Sequence, residues 1–233
     1  MNSQSIKAPQ DFSAYQLVGA ASWNPTLVPK HELSLPDKFL RSYARTKAQQ
    51  GNYTAAIALL AELIARHPDD AIDYNNRGLI YFQSGQLPSA LTDYNTAIQL
   101  NPRLASAYNN RANYYAACGQ LCEAIADYDR AIDLNPSHVR AWINRGITLR
   151  DLEQYEAAVE NFDIAEVLGQ LPENIYAERG RTYHLWGDWN YAIADYRRAI
   201  ELLSQSKSPS PASIRLLQQV KTWLEELLGA SSV

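Results

Sequence analysis

The chain has 233 residues, 46% hydrophobic and 20% charged, a globular composition that excludes a disordered polyelectrolyte. Its formal net charge of -4 counts against a nucleic-acid binder, which shows a basic balance or a basic face. Two cysteines make no disulfide framework, and no signal peptide or apolar run of about 18 residues is evident, so a soluble cytoplasmic protein without membrane insertion is expected.

Residues 1–36 hold Pro9, Pro25, Pro29 and Pro36 without helical spacing and read as an extended arm. Phe12, Tyr15, Leu17, Val18, Trp23, Leu27 and Val28 are expected to pack that arm on the body, since exposed they would forgo burial. From Asp37 the chain repeats itself every 34 residues, in segments 37–70, 71–104, 105–138, 139–172 and 173–206. Ala71–Leu104, AIDYNNRGLIYFQSGQLPSALTDYNTAIQLNPRL, aligns without a gap on Ala105–His138, ASAYNNRANYYAACGQLCEAIADYDRAIDLNPSH. A fixed period of this size is the signature of a solenoid.

Each segment reads as two helices, with apolar residues at helical spacing in both halves. Gly51, Gly85, Gly119 and Gly187 stand between the halves, where a helix can end in a left-handed residue. Glu153 takes this place in the fourth segment, so a different turn is expected there. Asn101-Pro102 and Asn135-Pro136 close their segments, because proline cannot continue a helix. Gly169-Gln170-Leu171-Pro172 stands instead at the fourth. Residues 207–233 form a linker and one more helix, started by Ser210-Pro211. Its stripes Ile214, Leu217, Leu224, Leu228 and Leu216, Val220, Trp223, Leu227 are expected to cap the fifth segment around Trp189 and Tyr196.

The ladder of residue types is specific. In the third segment it runs Tyr108, Ala112, Tyr115, Ala124, Tyr128, Ala131, Pro136; in the second, Tyr74, Gly78, Tyr81, Ala90, Tyr94, Ala97, Pro102. The fifth keeps Tyr176, Gly180, Tyr183, Ala192, Tyr196 and Ala199, while Lys47 is the first segment's clearest departure. This array resembles tetratricopeptide repeats. The resemblance implies an all-α, right-handed superhelical solenoid of antiparallel helix pairs with a concave groove. It also implies a non-enzymatic protein that binds peptides or proteins, with no cofactor.

Polar residues on this framework are the candidates for function. Asn76, Asn110 and Asn144 recur at a place that faces the groove in the resembling family, where an amide can both donate to and accept from a peptide backbone. Against this stands a solvated polar wall. Asn75, Asn109 and Asn113 extend the patch. Arg41 and Arg45, with Lys38, make one end of the groove basic, and Leu79 and Phe82 offer apolar contact. The family's clamp for acidic C-termini is only partly matched, so its specificity does not carry over. Arg77, Arg111, Arg145 and Arg179 precede Asp93, Asp127, Asn161 and Asp195 by 16 residues, a spacing expected to bridge the two helices of one repeat. The first segment has Tyr43 and Leu59 there, losing both partners together. Cys118 and Cys122 lack the histidine and spacing of a metal site and read as small turn or buried residues. No phosphate loop, nucleophile elbow or metal-binding helix motif occurs, so no catalytic or metal residue is expected. The leading expectation is a module holding an extended peptide or partner segment in its groove. The alternative is an assembly scaffold or homo-oligomer using its outer face and last helix.

Overall fold

The computed structural model describes residues 35–206 and 208–230. The packing expected of the N-terminal arm falls almost wholly on residues 1–34, outside the described residues. Among those described, eleven helices and no strand are present. They are α1 (Asp37–Gln49), α2 (Tyr53–Arg66), α3 (Ala71–Gln83), α4 (Leu87–Leu100), α5 (Ala105–Ala117), α6 (Leu121–Leu134), α7 (Val139–Asp151), α8 (Tyr155–Val167), α9 (Pro172–Trp186), α10 (Trp189–Ser204) and α11 (Pro211–Ala230). The chain divides into two compact units, Met1–Gln120 with α1–α5 and Leu121–Val233 with α6–α11. The division falls inside the third 34-residue segment. In each unit, successive helices pack side by side.

The helix ends follow from local chemistry. Asn52 caps α2 by accepting from the Ala55 N–H at 3.2 Å, and Ser210 caps α11 by accepting from Ser213 at 3.1 Å. Asn101 and Asn135 suit the place before proline because each makes a turn of its own: its side-chain oxygen accepts the N–H two residues on, at 3.0 and 3.2 Å.

The turn at Glu153 corrects the sequence expectation. Gly85 has φ 77° and Glu153 φ 61°, so the residue changes while the left-handed backbone stays. The following N–H reaches back to the preceding helix alike in both, Gln86 to Tyr81 at 2.8 Å and Gln154 to Leu149 at 2.9 Å. Those bonds satisfy carbonyls that the helix end would otherwise leave open, and they hold the glutamate in a conformation it does not favour. Left-handed backbone costs a residue with a Cβ about 1–2 kcal/mol, and glycine gives back ~0.4–1 through its looser unfolded chain. Glu153→Gly is therefore expected to stabilise the protein by about 0.5–1 kcal/mol. Urea unfolding checks this, and an unchanged or lower midpoint would refute it.

Close approach explains the small residues. A Cβ at Gly78 would lie 2.8 Å from the Tyr94 ring, and one at Gly180 the same distance from Tyr196. The glycine lets the first helix of a pair rest on the aromatic ring of the second. Tyr94, Tyr128 and Tyr196 are accordingly buried, at 1% exposure or less. Tyr74, Tyr81, Tyr108, Tyr115, Tyr176 and Tyr183 are only partly so. The first unit centres on Leu40, Ala44, Ala56, Leu59, Leu60 and Leu63, and the second on two clusters, around Phe162 with Ile175 and around Tyr196.

In the second cluster the last helix does its covering. Val220 and Leu227 are 0% and 1% exposed, and the Trp223 ring lies 6.0 Å from Tyr196. Leu216 and Leu224 pack against the same cluster. Ile214 and Leu228 of the other stripe stay exposed. Trp189 is 48% exposed, so α11 covers Tyr196 but not Trp189.

Candidate functional site

In the first unit, α1 and α3 face each other across an open cleft of about 750 Å³. Its walls alternate by helical spacing: Lys38, Arg41, Ser42, Arg45 and Gln49 from α1, Asn76, Leu79, Ile80 and Gln83 from α3, with Tyr53 and Leu60 contributed by α2. Five of the residues singled out from the sequence, Lys38, Arg41, Arg45, Asn76 and Leu79, meet here. Gln49 and Gln83 were missed, although they continue the same faces at four and seven residues' distance from Arg45 and Asn76. Phe82 is partly buried and is not among the cleft's lining residues.

Arg41 and Arg45 differ in their freedom. The Arg41 guanidinium donates to both oxygens of Asp73 at 2.7 Å and to Asp70 at 2.6 Å. Asp73 is fully buried, and its hydrogen bond holds the Arg41 charge on, raising its pKa above the ordinary arginine value. Arg41 thus ties α1 to α3 and brings little net charge to a ligand. Lys38 and Arg45 are exposed, and neither forms an ion pair among the described residues.

The asparagines do not all take the places expected. Asn75 and Asn109 are 5% exposed, which corrects their assignment to an open polar patch. Instead they hold Asn110: its amide donates to Asn75 at 3.0 Å, and Asn109 donates to the Asn110 oxygen at 3.3 Å. Buried amides require such partners. Asn113 lies partly buried on the same helix. Asn144 belongs to the second unit, where it lines a separate cleft of about 430 Å³ with Arg140 and Ile143 of α7, Glu173 and Asn174 of α9, and Ser213 and Leu216 of α11.

Three of the four recurring arginines bridge the helices of their repeat as their spacing implied. Arg77 donates twice to Asp93, at 2.7 and 2.8 Å, Arg145 to Asn161 at 3.0 Å, and Arg179 twice to Asp195, at 2.8 and 3.0 Å. A second partner, 16 residues before three of the four arginines, was not foreseen. Arg111 donates to Asn95 at 2.8 Å, Arg145 lies 2.6 Å from Asp129, and Arg179 donates to Asp163 at 2.6 Å. Each bond of this second kind links consecutive repeats within its unit. Arg77 and Arg111 also lie over tyrosines of their own helix, Tyr74 with Tyr81 and Tyr108 with Tyr115, 5.6–5.8 Å from the ring centres. These arginines are occupied in holding the stack. Burial and the neighbouring Arg181 lower the His184 pKa, and its ring nitrogen lies 3.2 Å from the Tyr196 hydroxyl. Cys118 and Cys122 are both exposed, so they are not buried residues.

Family models described as TPR repeat match residues 78–117 and 112–149, and models described as tetratricopeptide repeat match 42–70 and 139–163. No curated protein matches the chain. Among solved structures, TTC0263, a thermophilic TPR protein of Thermus thermophilus, is similar with a TM-score of 0.68 at 20% identity, over 81% of this chain and 99% of that one. A tetratricopeptide repeat protein from Parabacteroides merdae ATCC 43184 gives 0.62 at 18% identity, over 84% and 76%. MamA 41-end from Desulfovibrio magneticus RS-1 gives 0.61 at 19% identity, over 74% and 97%. At such identities the likeness concerns the fold. Proteins built of these repeats are generally protein-interaction scaffolds rather than enzymes, and no helix among the described residues is long and apolar enough to cross a membrane. With the ladder, the helix pairs and the matched segments in agreement, the chain belongs to the tetratricopeptide repeat family.

Proposed function

We propose that this protein is a protein-binding module that takes an extended partner segment with an acidic end into the cleft between α1 and α3. The observation that carries the reading is the pair of exposed cations, Lys38 and Arg45, facing the amide of Asn76 across an open cleft with apolar Leu79 beside it. An extended segment presents backbone donors and acceptors at regular spacing, and an amide matches both. One net hydrogen bond is worth about 0.5–1.5 kcal/mol, far below the ~8 kcal/mol of a micromolar complex. The cations and the apolar contact with Leu79 and Ile80 supply the remainder. Asn110 and Asn144 extend recognition only if a ligand displaces the Asn75–Asn110 bond and reaches the second unit's own cleft.

A random peptide library displayed on phage, selected on the full chain, tests the reading. Ligands with clustered carboxylates at one end are expected. Arg45→Ala with Asn76→Ala should weaken the selected peptide about tenfold or more while the circular dichroism stays unchanged, since a charge-assisted contact and a hydrogen bond are both lost. Wild-type affinity in the folded double variant would end the proposal. The exposed Ile214 and Leu228 favour a second reading, self-association through α11. Light scattering that shows a concentration-independent monomer would dispose of it.

A further inference from the structure

The turn joining α9 and α10 carries an aromatic edge that the fold does not require. Leu185, Trp186, Trp189 and Tyr191 are 47, 47, 48 and 61% exposed, all within one short stretch. The rings are ordered by stacking: Trp186 on Tyr155 at 6.3 Å and 24°, Tyr191 on Tyr183 at 5.2 Å and 27°. The repeat supplies its own control. The places of Leu185 and Trp186 hold Gln49-Gln50, Gln83-Ser84, Ala117-Cys118 and Asp151-Leu152 in the earlier segments, and that of Tyr191 holds Ala55, Ser89, Glu123 and Ala157. Four repeats thus form their turns without large aromatic residues at these three places, whereas Trp189 stands where they hold Tyr53, Leu87, Leu121 and Tyr155. Packing gives no reason for them in the fifth, and water contact makes them costly.

The electrostatic surroundings indicate the occupant. Exposed Glu153 and Glu156 bracket Tyr155 in sequence, and Asp188 lies between Trp186 and Trp189, while Asp151 is paired with Arg150 at 3.5 Å. Three cations of the neighbouring helices are already engaged, while Arg197 of α10 stays exposed. Arg150 is bound to Glu178 at 2.7 Å, Arg179 to Asp195, Asp163 and Glu166, and Arg198 to Glu201 at 2.6 Å. Aromatic faces flanked by unmatched carboxylates attract guanidinium, which stacks on rings and is only weakly hydrated. The same carboxylates repel a nucleic-acid backbone or an anionic lipid surface.

We infer that this edge is a second interaction surface, taking an arginine-bearing cationic segment of a partner protein. Guanidinium planes lie on Trp186 and Tyr191, while Glu153, Glu156 and Asp188 balance their charge. The surface belongs wholly to the second unit and is independent of the cleft between α1 and α3.

The test titrates the full chain with an alternating arginine–glycine decapeptide and its glutamate–glycine counterpart, followed by tryptophan fluorescence and calorimetry. The arginine peptide should bind, less tightly as salt rises, and the glutamate peptide should not. Trp186→Ala should weaken binding about fivefold or more. Glu153→Gln with Glu156→Gln should flatten the salt dependence. Tyr191→Ser, at a mostly exposed position, repeats the test should Trp186→Ala fail to fold. Equal binding of both peptides, or unchanged affinity in the folded aromatic variants, would overturn the inference. So would a concentration-dependent dimer that both aromatic variants dissolve, because the edge would then bind a second copy of the chain.

Discussion

A chain ended after Gln205 is expected to lose most of its cooperative stability and to associate. Val220 and Leu227 are 0% and 1% exposed, and Trp223 and Leu216 cover Tyr196, Ala192 and Ala199. Burying each such large apolar side chain contributes about 1.5–3 kcal/mol. Four of them amount to ~6 kcal/mol or more, close to the whole stability of many domains, about 5–15 kcal/mol. The helix is also held at its polar margin, where Arg181 lies 3.7 Å from Glu226 and 5.2 Å from the centre of the Trp223 ring. Without it, Tyr196 and its alanine neighbours would form an apolar face, and such faces drive association. Burial pushes the Tyr196 hydroxyl up to about 12, so truncation should also bring that hydroxyl back toward the ordinary tyrosine range. Urea unfolding and light scattering on the truncated chain check the first two effects. A monomer as stable as the full chain would show that α11 caps nothing.

The features legible in the sequence are those that the period itself repeats. Tyr94, Tyr128 and Tyr196 recur at a fixed place, and a large residue kept there beside a glycine or alanine has to be core. The Asn-Pro closures were readable because both residue types act through their own short-range chemistry. Glu153 was misread for a related reason. Turn propensity belongs to the residue, but the turn is imposed by the carbonyls of Tyr81 or Leu149 and their need for a donor. Asn75 and Asn76 show where the pattern runs out. Adjacent helical residues point about 100° apart, so one amide lies buried against α5 while the other lines the cleft. Which is which depends on how α3 meets its neighbours, and that is tertiary information. The arginine ladder was half legible. Its partner within a repeat shares the repeat's spacing, whereas Asn95, Asp129 and Asp163 read as ordinary solvated positions until consecutive repeats are packed.

Arg179 is the most heavily engaged member of that ladder, and its loss is expected to cost about 3–5 kcal/mol. Its side chain is 13% exposed, and its guanidinium binds Asp195, Asp163 and Glu166, joining α9 to both α10 and α8. Asp195 is the vulnerable partner. Burial raises its pKa, and Arg179 is the group that opposes the rise. In Arg179→Met the carboxylate stays buried without its cation, so its folded pKa moves further above the unfolded value. A group with a raised folded pKa stabilises the fold at acid pH and loses that contribution as pH rises through the folded value. The variant should therefore be weakest at neutral pH. Glu166 works in the same direction. The Tyr176 hydroxyl and then Arg179 hold its carboxyl below the usual range, a contribution present at neutral pH and lost as acid titrates the folded state. The variant has already lost Arg179's share of it, so acid removes less from the variant than from the parent. Both effects narrow the gap between them on acidification. Adding Asp195→Asn removes the stranded charge, and the double variant should recover a large part of the deficit at pH 7. Urea unfolding of the four proteins at neutral and mildly acid pH measures the coupling. Contacting charged pairs give about 0.5–3 kcal/mol in such cycles. Additive effects with a gap independent of pH would mean that Arg179 acts by packing its stem against Tyr176, 5.4 Å from the guanidinium carbon to the ring centre, and not by its charge.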